Sequence, residues 1–247
     1  MHQPRTISSH ILSRFSNIRF GMSTRHGGVS PEPLGMNLSF RVGDDQKHVE
    51  ENRRRFFGAL GLDPHRLAVP LQCHSDHVQI VVGPGEYESC DGLITNTTDL
   101  PLVVTVADCL PVVLFEPAKA VLAHVHAGWR GSARKIVEKT IAIMGREFGA
   151  SPDLMVAYLG PSAGVCCYEV GGEVAEVFSL DEIERRNSEM FLNLKKANVN
   201  QLVACGLRRE NIEVSNWCTI CTPGLFHSYR RDNNQSGRMM SVAMIMP

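Results

Sequence analysis

The sequence predicts an α+β fold in which mixed β-sheets form a sandwich and helices pack on the sheets. Short runs rich in valine, leucine and isoleucine, typical of buried strands, alternate with longer segments whose apolar residues recur at helical spacing. No repeat, low-complexity tract or linker interrupts the 247 residues. We therefore expect residues 1–247 to form a single domain with strands buried between helices.

The first quarter of the chain predicts one strand and one helix. Residues 18–24 have the composition of a first strand, and a glycine-containing loop follows at residues 25–30. Asp44 or Asp45 is placed to cap a helix that runs to about Leu60. We expect the solvent-facing side of this helix to carry Arg53, Arg54 and Arg55.

Side chains that bind metals are dense in the next stretch. Residues 67–82 predict two short strands around the loop Gln72–His77, which reads QCHSDH. Cys73 and His74 are neighbours, so on a strand their side chains would point to opposite faces and would not share one metal. Asp91 and the glycine after it then signal a turn before another strand.

A β-hairpin is the central prediction of the sequence. The apolar runs Leu110–Phe115 and Val121–Val125 are too short for helices and flank a proline-containing turn. Antiparallel pairing brings Cys109, before the first run, close to His126, after the second. His124 shares a strand face with His126. A thiol and an imidazole should therefore meet at one end of the hairpin.

An anion-binding turn is expected directly after the hairpin. Residues 128–131, GWRG, lead into a predicted helix with Ser132 as its N-cap and Gly149 after its last residue. A strand end, a glycine turn and a helix start leave backbone N–H groups pointing outward, and anions dock on such groups.

The last third of the chain predicts further strands and helices. We expect a strand at 154–159, a helical region from Cys166-Cys167 to about Ser179, and helix in the later part of 181–210. Strands are expected at Ile212–Val214 and from Gly237-Arg238-Met239 to Met246. Cys218 and Cys221 form a CxxC motif. It lacks the second cysteine pair of a zinc ribbon and the following helix of a thioredoxin motif, which favours a structural role.

Composition excludes several partners. The net charge is −1 and basic and acidic residues are interleaved, so nothing favours nucleic acid or an anionic membrane. The N-terminus has no apolar signal-peptide core, and no stretch is apolar enough to span a bilayer. We expect a cytoplasmic protein whose eight cysteines are reduced.

Three side chains stand out as one candidate site: His74, Cys109 and His126. Two imidazoles and a thiolate suit zinc, whose catalytic sites keep three protein ligands and one open position. His124 is either a supporting residue or a fourth group nearby. Asp108, beside Cys109, is a candidate proton acceptor or ribose-hydroxyl partner.

Several motifs of the chain resemble those of a known family. The matching stretches, in order from residue 24 to 241, are TRHGGVS, GMNLSFRVGDD, QCHSDHV, DGLIT, ADCLPVVLFEP, HAGWRGS, GPSAGVCCYEVG and SYRRD with GRMMS. They resemble the bacterial laccase-domain family, also described as multicopper polyphenol oxidoreductases. Its members are regarded as zinc-dependent purine nucleoside phosphorylases, and some have a role in peptidoglycan editing.

The resemblance implies a ligand set and an activity. The family's metal ligands fall on His74, Cys109 and His126. The implied reaction is phosphorolysis of adenosine, inosine and methylthioadenosine, with adenosine deamination as a related activity, so the partners are a purine nucleoside and phosphate. Arginine suits phosphate because its planar fork matches phosphate oxygens. The candidates are Arg25, which the glycine loop favours, Arg130, Arg230 and Arg231.

Two other enzyme classes remain open. Cys109 and His126 could form the nucleophile–base dyad of a cysteine hydrolase, with the glycine turn as its oxyanion hole. Copper at the same ligands could support laccase-type oxidation of phenols. A multicopper oxidase, however, needs repeated His-x-His pairs, and only His124-Val125-His126 has that spacing. A non-enzymatic binding protein would leave the ligand cluster without a task.

Overall fold

The computed structural model describes residues 3–247. The strands are β1 Thr6–Ile7, β2 Ile18–Ser23, β3 Ala68–Pro70, β4 Val78–Ile80, β5 Gly85–Tyr87, β6 Gly92–Thr95, β7 Leu102–Val106, β8 Leu110–Glu116, β9 Val121–Ala127, β10 Val156–Leu159, β11 Glu169–Val170, β12 Ile183–Arg186, β13 Glu189–Leu192, β14 Ile212–Val214 and β15 Met239–Ile245. The α-helices are α1 Gln46–Ala59, α2 Trp129–Ala133, α3 Ile136–Phe148, α4 Gly172–Ala175, α5 Leu194–Ala204 and α6 Tyr229–Asp232. No helix in this described part is long and apolar enough to cross a membrane.

Two six-stranded mixed sheets form the centre of the fold. Their strand orders are β1-β2-β15-β7-β3-β5 and β14-β10-β8-β9-β6-β4. A buried apolar layer joins them, with Leu102 and Ala243 from the first sheet and Val113 and Leu122 from the second. Helix α1 covers the other face of the first sheet, and α3 and α5 cover that of the second. The predicted sandwich with helices on its sheets is confirmed.

The central hairpin is also confirmed. Strands β8 and β9 pair antiparallel with Pro111 opposite His126 and Leu110 opposite Ala127. Cys109 therefore lies beside the end of β9, as the sequence predicts. Strand β6 pairs with the other edge of β9, Leu93 opposite His124. This pairing brings Asp91, just before β6, next to His126, whose backbone N–H donates to the Asp91 carbonyl at 2.7 Å.

The helix after the hairpin begins differently from the prediction. Gly128 is the N-cap of α2, and α3 starts only after Lys135, whose φ is 63°. Ser132 lies inside α2, and its buried Oγ accepts a hydrogen bond from Asn198 Nδ2 of α5 at 2.8 Å. The N-cap assignment of Ser132 is therefore wrong, because this hydroxyl joins two helices. Gly149 ends α3 with φ 64°, as expected.

Residues 166–192 depart furthest from the prediction. Instead of a helical region, the chain forms β11, the single turn α4 and the hairpin β12–β13, and only then α5. Strand β11 pairs with β13, Val170 opposite Met190. These strands are two to four residues long, too short to show a clear alternation in sequence. Helix α1, by contrast, starts at the predicted cap, since Asp45 accepts from the Lys47 N–H at 2.7 Å.

Candidate metal centre and its cavity

Three side chains from separate segments converge at the end of the hairpin. One ring nitrogen each from His74 and His126 and the sulfur of Cys109 all lie within 4.8 Å of one another. His126 lies near the end of β9, Cys109 precedes β8, and His74 comes from the loop between β3 and β4. The structure thus brings together the ligand set that the sequence predicts. Nitrogen and thiolate donors at this spacing fit a tetrahedral ion with one position open.

Asp91 is the support of this site. Its carboxylate is buried, and Oδ1 accepts a hydrogen bond from His126 Nδ1 at 2.8 Å. Because a carboxylate only accepts, Nδ1 carries the proton and Nε2 of His126 is left as the ligand atom. The same carboxylate accepts backbone N–H bonds from Cys73 at 3.2 Å, His74 at 3.0 Å and Ser75 at 2.7 Å. One side chain therefore fixes two of the three ligands.

Charge is organised around the thiol. Burial raises the pKa of Cys109, but the charge and hydrogen bond of His126, with those of His74, lower it to about 6. Burial lowers the pKa of His126, while the Cys109 thiolate and Asp91 raise it to about 10. Burial also raises the pKa of Asp91, and its bonds to His126 and Ser75 bring it well below the usual range. The thiolate, the form that binds a metal, is thus favoured at neutral pH.

Gly128 has no side chain at a position where one would crowd the three candidate ligands. A Cβ at this position would lie 3.1 Å from Cys109 Sγ, 3.4 Å from His74 Cδ2 and 3.9 Å from His126 Cε1. The absence of a side chain leaves the space between these groups open.

His124 takes no part in the cluster. It is buried between the sheets, and its Nδ1 donates to the carbonyl of Leu102 at 3.0 Å. Burial lowers its pKa to about 4, so the ring is neutral. The sequence left open whether His124 supports the site or is a fourth ligand. This orientation does not agree with a fourth ligand.

Asp108 is engaged on both carboxylate oxygens. Oδ1 accepts from Thr219 Oγ1 at 2.6 Å, and Oδ2 accepts from Ser228 Oγ at 3.0 Å and from the Arg230 N–H at 2.7 Å. Asp108 also adopts φ 85°, a strained region for a residue with a side chain. The sequence suggested Asp108 as a proton acceptor. Both of its oxygens already accept hydrogen bonds, so the structure does not leave it free for that role. The residue instead ties the Cys109 turn to the loop that carries Arg230.

The three candidate ligands open into one cavity of about 910 Å³. Arginine and aromatic side chains make up much of its wall. Three guanidinium groups stack on rings: Arg53 on Phe40 at 4.4 Å, Arg230 on Tyr168 at 5.3 Å and Arg238 on Tyr229 at 5.3 Å. Arg41 lines the same space.

The structure places only one of the four predicted phosphate-binding arginines, Arg230, in this wall. Arg25 binds Glu32 at 2.6 Å and the carbonyls of Pro33 and Pro223. Arg231 donates to the carbonyls of Thr219, Ile220 and Phe226. Arg130 stacks on Trp129 on the outer surface of α2. These three lie outside the residues that line the cavity, and they contact local backbone, Glu32 or Trp129 instead.

Sequence reasoning missed Arg53 and Arg238. Arg53 was expected to face solvent, but it is half-buried and donates to the carbonyl of Leu38 at 2.9 Å. Its spacing on α1 was the available signal: Arg53 lies four residues after Val49 and three and four residues before Phe56 and Phe57, and residues three or four apart share a helix face. Arg238 lies in the motif GRMMS, which carried the resemblance but no assigned role.

The fold and this site together define a protein with a three-ligand metal-type centre in an arginine-lined cavity. The chain belongs to the family described as multi-copper polyphenol oxidoreductase laccase, which matches residues 19–246. Among its relatives is purine nucleoside phosphorylase YlmD of Geobacillus stearothermophilus, 34% identical over 92% of this chain and 90% of that protein. Adenosine deaminase RL5, from an unknown prokaryotic organism, is 35% identical over 83% and 84%. The crystal structure of YlmD from G. stearothermophilus superposes with TM-score 0.92 at 29% identity, covering 100% of this chain and 97% of that one.

Proposed function

We propose that this protein is a zinc-dependent purine nucleoside phosphorylase. The substrates are adenosine, inosine and methylthioadenosine, which react with phosphate to give the free base and the phosphorylated sugar. Adenosine deamination is a side activity of the same cavity. The chain's similarity to a named phosphorylase and a named deaminase supports this pair of reactions.

One observation carries the proposal. The His74, Cys109 and His126 cluster shares a cavity with Arg53, Arg230 and two further arginines. Phosphate carries two negative charges near neutral pH and binds best to guanidinium forks. Purine and sugar rings pack on aromatic faces, and Phe40, Tyr168 and Tyr229 offer such rings here, each stacked against an arginine.

The residues of the chain divide the work of phosphorolysis between them. Arg53, Arg230 and Arg238 hold phosphate beside the sugar carbon and offset the negative charge of the phosphate while the glycosidic bond breaks. Asp108 positions the backbone N–H of Arg230 and so fixes this part of the wall. Arg25, Arg130 and Arg231 act on structure rather than on phosphate, because they lie outside the residues that line the cavity.

Zinc is the metal that the donor set fits best. His74, Cys109 and His126 would hold it, since two imidazoles and one thiolate with a fourth position open are typical of catalytic zinc. Bound zinc supplies a Lewis acid that polarises oxygen and lowers the pKa of water. Asp91 keeps His126 in the tautomer that binds a metal through Nε2. Copper also binds such ligands, so copper-loaded protein should oxidise phenols weakly.

The state of the thiols supports a proposal for the compartment. All eight cysteines are free in the structure, which agrees with a reducing environment. We therefore propose a cytoplasmic protein that acts on small molecules.

Base release from inosine tests the function. Zinc-loaded protein is incubated with inosine or adenosine, with and without phosphate, and the products are separated by chromatography. Hypoxanthine and ribose 1-phosphate that form only with phosphate are the expected result. The variant Cys109→Ala should lose turnover and the zinc of the His74–Cys109–His126 centre, whereas Cys205→Ala, at a half-buried cysteine outside the cavity, should keep both. Base release without any need for phosphate would contradict phosphorolysis.

A cysteine hydrolase is the second candidate, and one observation favours it. Cys109, His126 and Asp91 are arranged as nucleophile, base and orienting carboxylate, and the thiol has a lowered pKa. His74 has no task in this mechanism, although it also bonds to the Cys109 sulfur. Metal dependence separates the two candidates: hydrolysis by a dyad continues after zinc is chelated, whereas phosphorolysis stops.

A further inference from the structure

Four cysteines form a second cluster, separate from the candidate centre described above. The sulfur atoms of Cys166, Cys167, Cys218 and Cys221 all lie within 4.8 Å of one another. The sequence presents Cys218 and Cys221 as a CxxC motif without a second pair. The fold supplies that pair, because the loop after β10 carries Cys166 and Cys167 to the same place.

The spacing of the sulfurs matches four thiolates around one ion. Zinc–sulfur bonds of about 2.3 Å at tetrahedral angles put neighbouring sulfurs roughly 3.8 Å apart. Cys166 Sγ and Cys221 Sγ are 3.7 Å apart. A disulfide would require about 2.05 Å. The thiols of this cluster are therefore placed as ligands rather than as a cross-link.

Backbone N–H groups surround one sulfur of the cluster, that of Cys218. The Gly164 N–H donates to Cys218 Sγ at 3.2 Å, and the Ile220 and Cys221 N–H groups also point to that sulfur. Such N–H groups stabilise metal-bound sulfur. Gly164 cannot be replaced by a larger residue without crowding, since a Cβ there would lie 3.0 Å from Cys218 Cβ and 3.2 Å from Cys166 Sγ. Lys195 adds a positive charge that interacts with three of the four thiols.

The backbone of both loops is fixed around the sulfurs. The Thr219 N–H donates to the Ser162 carbonyl at 3.0 Å and joins the two loops directly. The Arg231 guanidinium donates to the carbonyls of Thr219 and Ile220 at 2.9 Å each, inside the CxxC turn. Lys195 Nζ holds the Ser215 and Trp217 carbonyls just before it.

We propose that Cys166, Cys167, Cys218 and Cys221 bind one zinc ion as a structural site with four thiolate ligands. The two loops that it joins support one wall of the cavity: Tyr168, just after the first pair, lines it, and Thr219, within the second pair, bonds to Asp108, which also lines it. The site fixes this wall and takes no part in the reaction. It binds zinc whether or not the His74–Cys109–His126 centre is occupied.

Metal content of the full chain tests the proposal. The protein is produced with zinc, purified without oxygen and in reductant, and its zinc is counted by mass spectrometry. The wild type should hold about two ions per chain, one for each cluster. His74→Ala should hold one, Cys221→Ser should hold one, and the double variant none. The matched control Cys205→Ser, at a cysteine outside both clusters, should hold two.

Cobalt titration reports the ligands without changing any cysteine. In His74→Ala, the first equivalent of Co²⁺ should give the thiolate charge-transfer and tetrahedral d–d bands of a sulfur-rich site. Zinc should then displace it. The melting temperature of Cys221→Ser should be lower than that of Cys205→Ser, because a structural ion contributes to folding free energy.

Two results would overturn the proposal. One is a wild type with a single ion that His74→Ala removes completely. The other is a disulfide between Cys166 and Cys221 in anaerobically purified protein, seen as a mass lower by two hydrogen atoms. Both outcomes leave the phosphorylase proposal untouched, since that depends on the other cluster.

Discussion

Replacing Asp91 by asparagine should destabilise the protein and weaken metal binding at the His74–Cys109–His126 centre. The carboxylate is fully buried and accepts from His126 Nδ1 and from three backbone N–H groups of residues 73–75. Asparagine has nearly the same shape but only one accepting oxygen. If that oxygen faces His126, the amide NH2 faces the N–H groups of Cys73 and Ser75, and donors then oppose donors.

The magnitude follows from these contacts. Breaking a buried charge pair by altering one partner costs about 3–5 kcal/mol. For a chain of this length, each kcal/mol lowers the melting temperature by about 2–4 °C, so the expected decrease is roughly 6–20 °C. Loss of the carboxylate behind a metal-binding histidine weakens metal affinity by about 10–100-fold.

Two measurements check this prediction. Thermal unfolding of wild type and Asp91→Asn gives the stability loss, and competition with a chelator gives the zinc affinity. Glu176→Gln makes the same carboxylate-to-amide change at an exposed position and serves as the matched control. The role given to Asp91 is refuted if Asp91→Asn matches this control in both melting temperature and zinc affinity.

Three further predictions concern the cavity wall and acid stability. Arg53→Ala should raise the KM for phosphate by about 10–100-fold, the value of a charged hydrogen bond, while Arg130→Ala leaves it unchanged in steady-state assays. Asp108→Asn should lower the free energy of unfolding by about 2 kcal/mol in urea titrations, because asparagine keeps one accepting oxygen and leaves either Thr219 or Ser228 without its acceptor; an unchanged value contradicts this. Burial lowers the pKa of His227 to about 3, so below pH ~6.5 the unfolded chain binds a proton that the folded chain does not, and unfolding free energy falls by up to about 1.4 kcal/mol per pH unit. His227→Gln should reduce this slope between pH ~6.5 and ~4, and an equal slope in both proteins argues against it.

The hairpin and its ligands could be predicted because their determinants are local. Strands β8 and β9 are separated by one turn, and Glu116 pairs with Val121 across it. Counting back from such a turn fixes which residues meet, so Cys109 and His126 come together without any knowledge of the rest of the fold. The cap of α1 at Asp45 is local in the same sense.

The partners of the site could not be predicted in this way. Asp91 lies 35 positions before His126, and its sequence context, an aspartate before a glycine, is typical of any tight turn. Only the pairing of β6 with β9 places the two side chains together. Cys166 and Cys221 are likewise 55 positions apart, so the CxxC motif shows half of its cluster and nothing of the other half.

The two buried carboxylates of the site have separate tasks. Asp91 accepts hydrogen bonds from the His74 loop and from His126, so replacing it should mainly weaken metal binding. Asp108 accepts hydrogen bonds from Thr219, Ser228 and Arg230, so replacing it should mainly disturb the cavity wall that we propose holds phosphate. Each joins segments far apart in sequence, and each satisfies several donors with one buried charge. Because they share no hydrogen-bond donor, the free-energy changes of Asp91→Asn and Asp108→Asn should add within about 0.5 kcal/mol in the double variant, and a larger departure would mean that the wall and the metal centre move together.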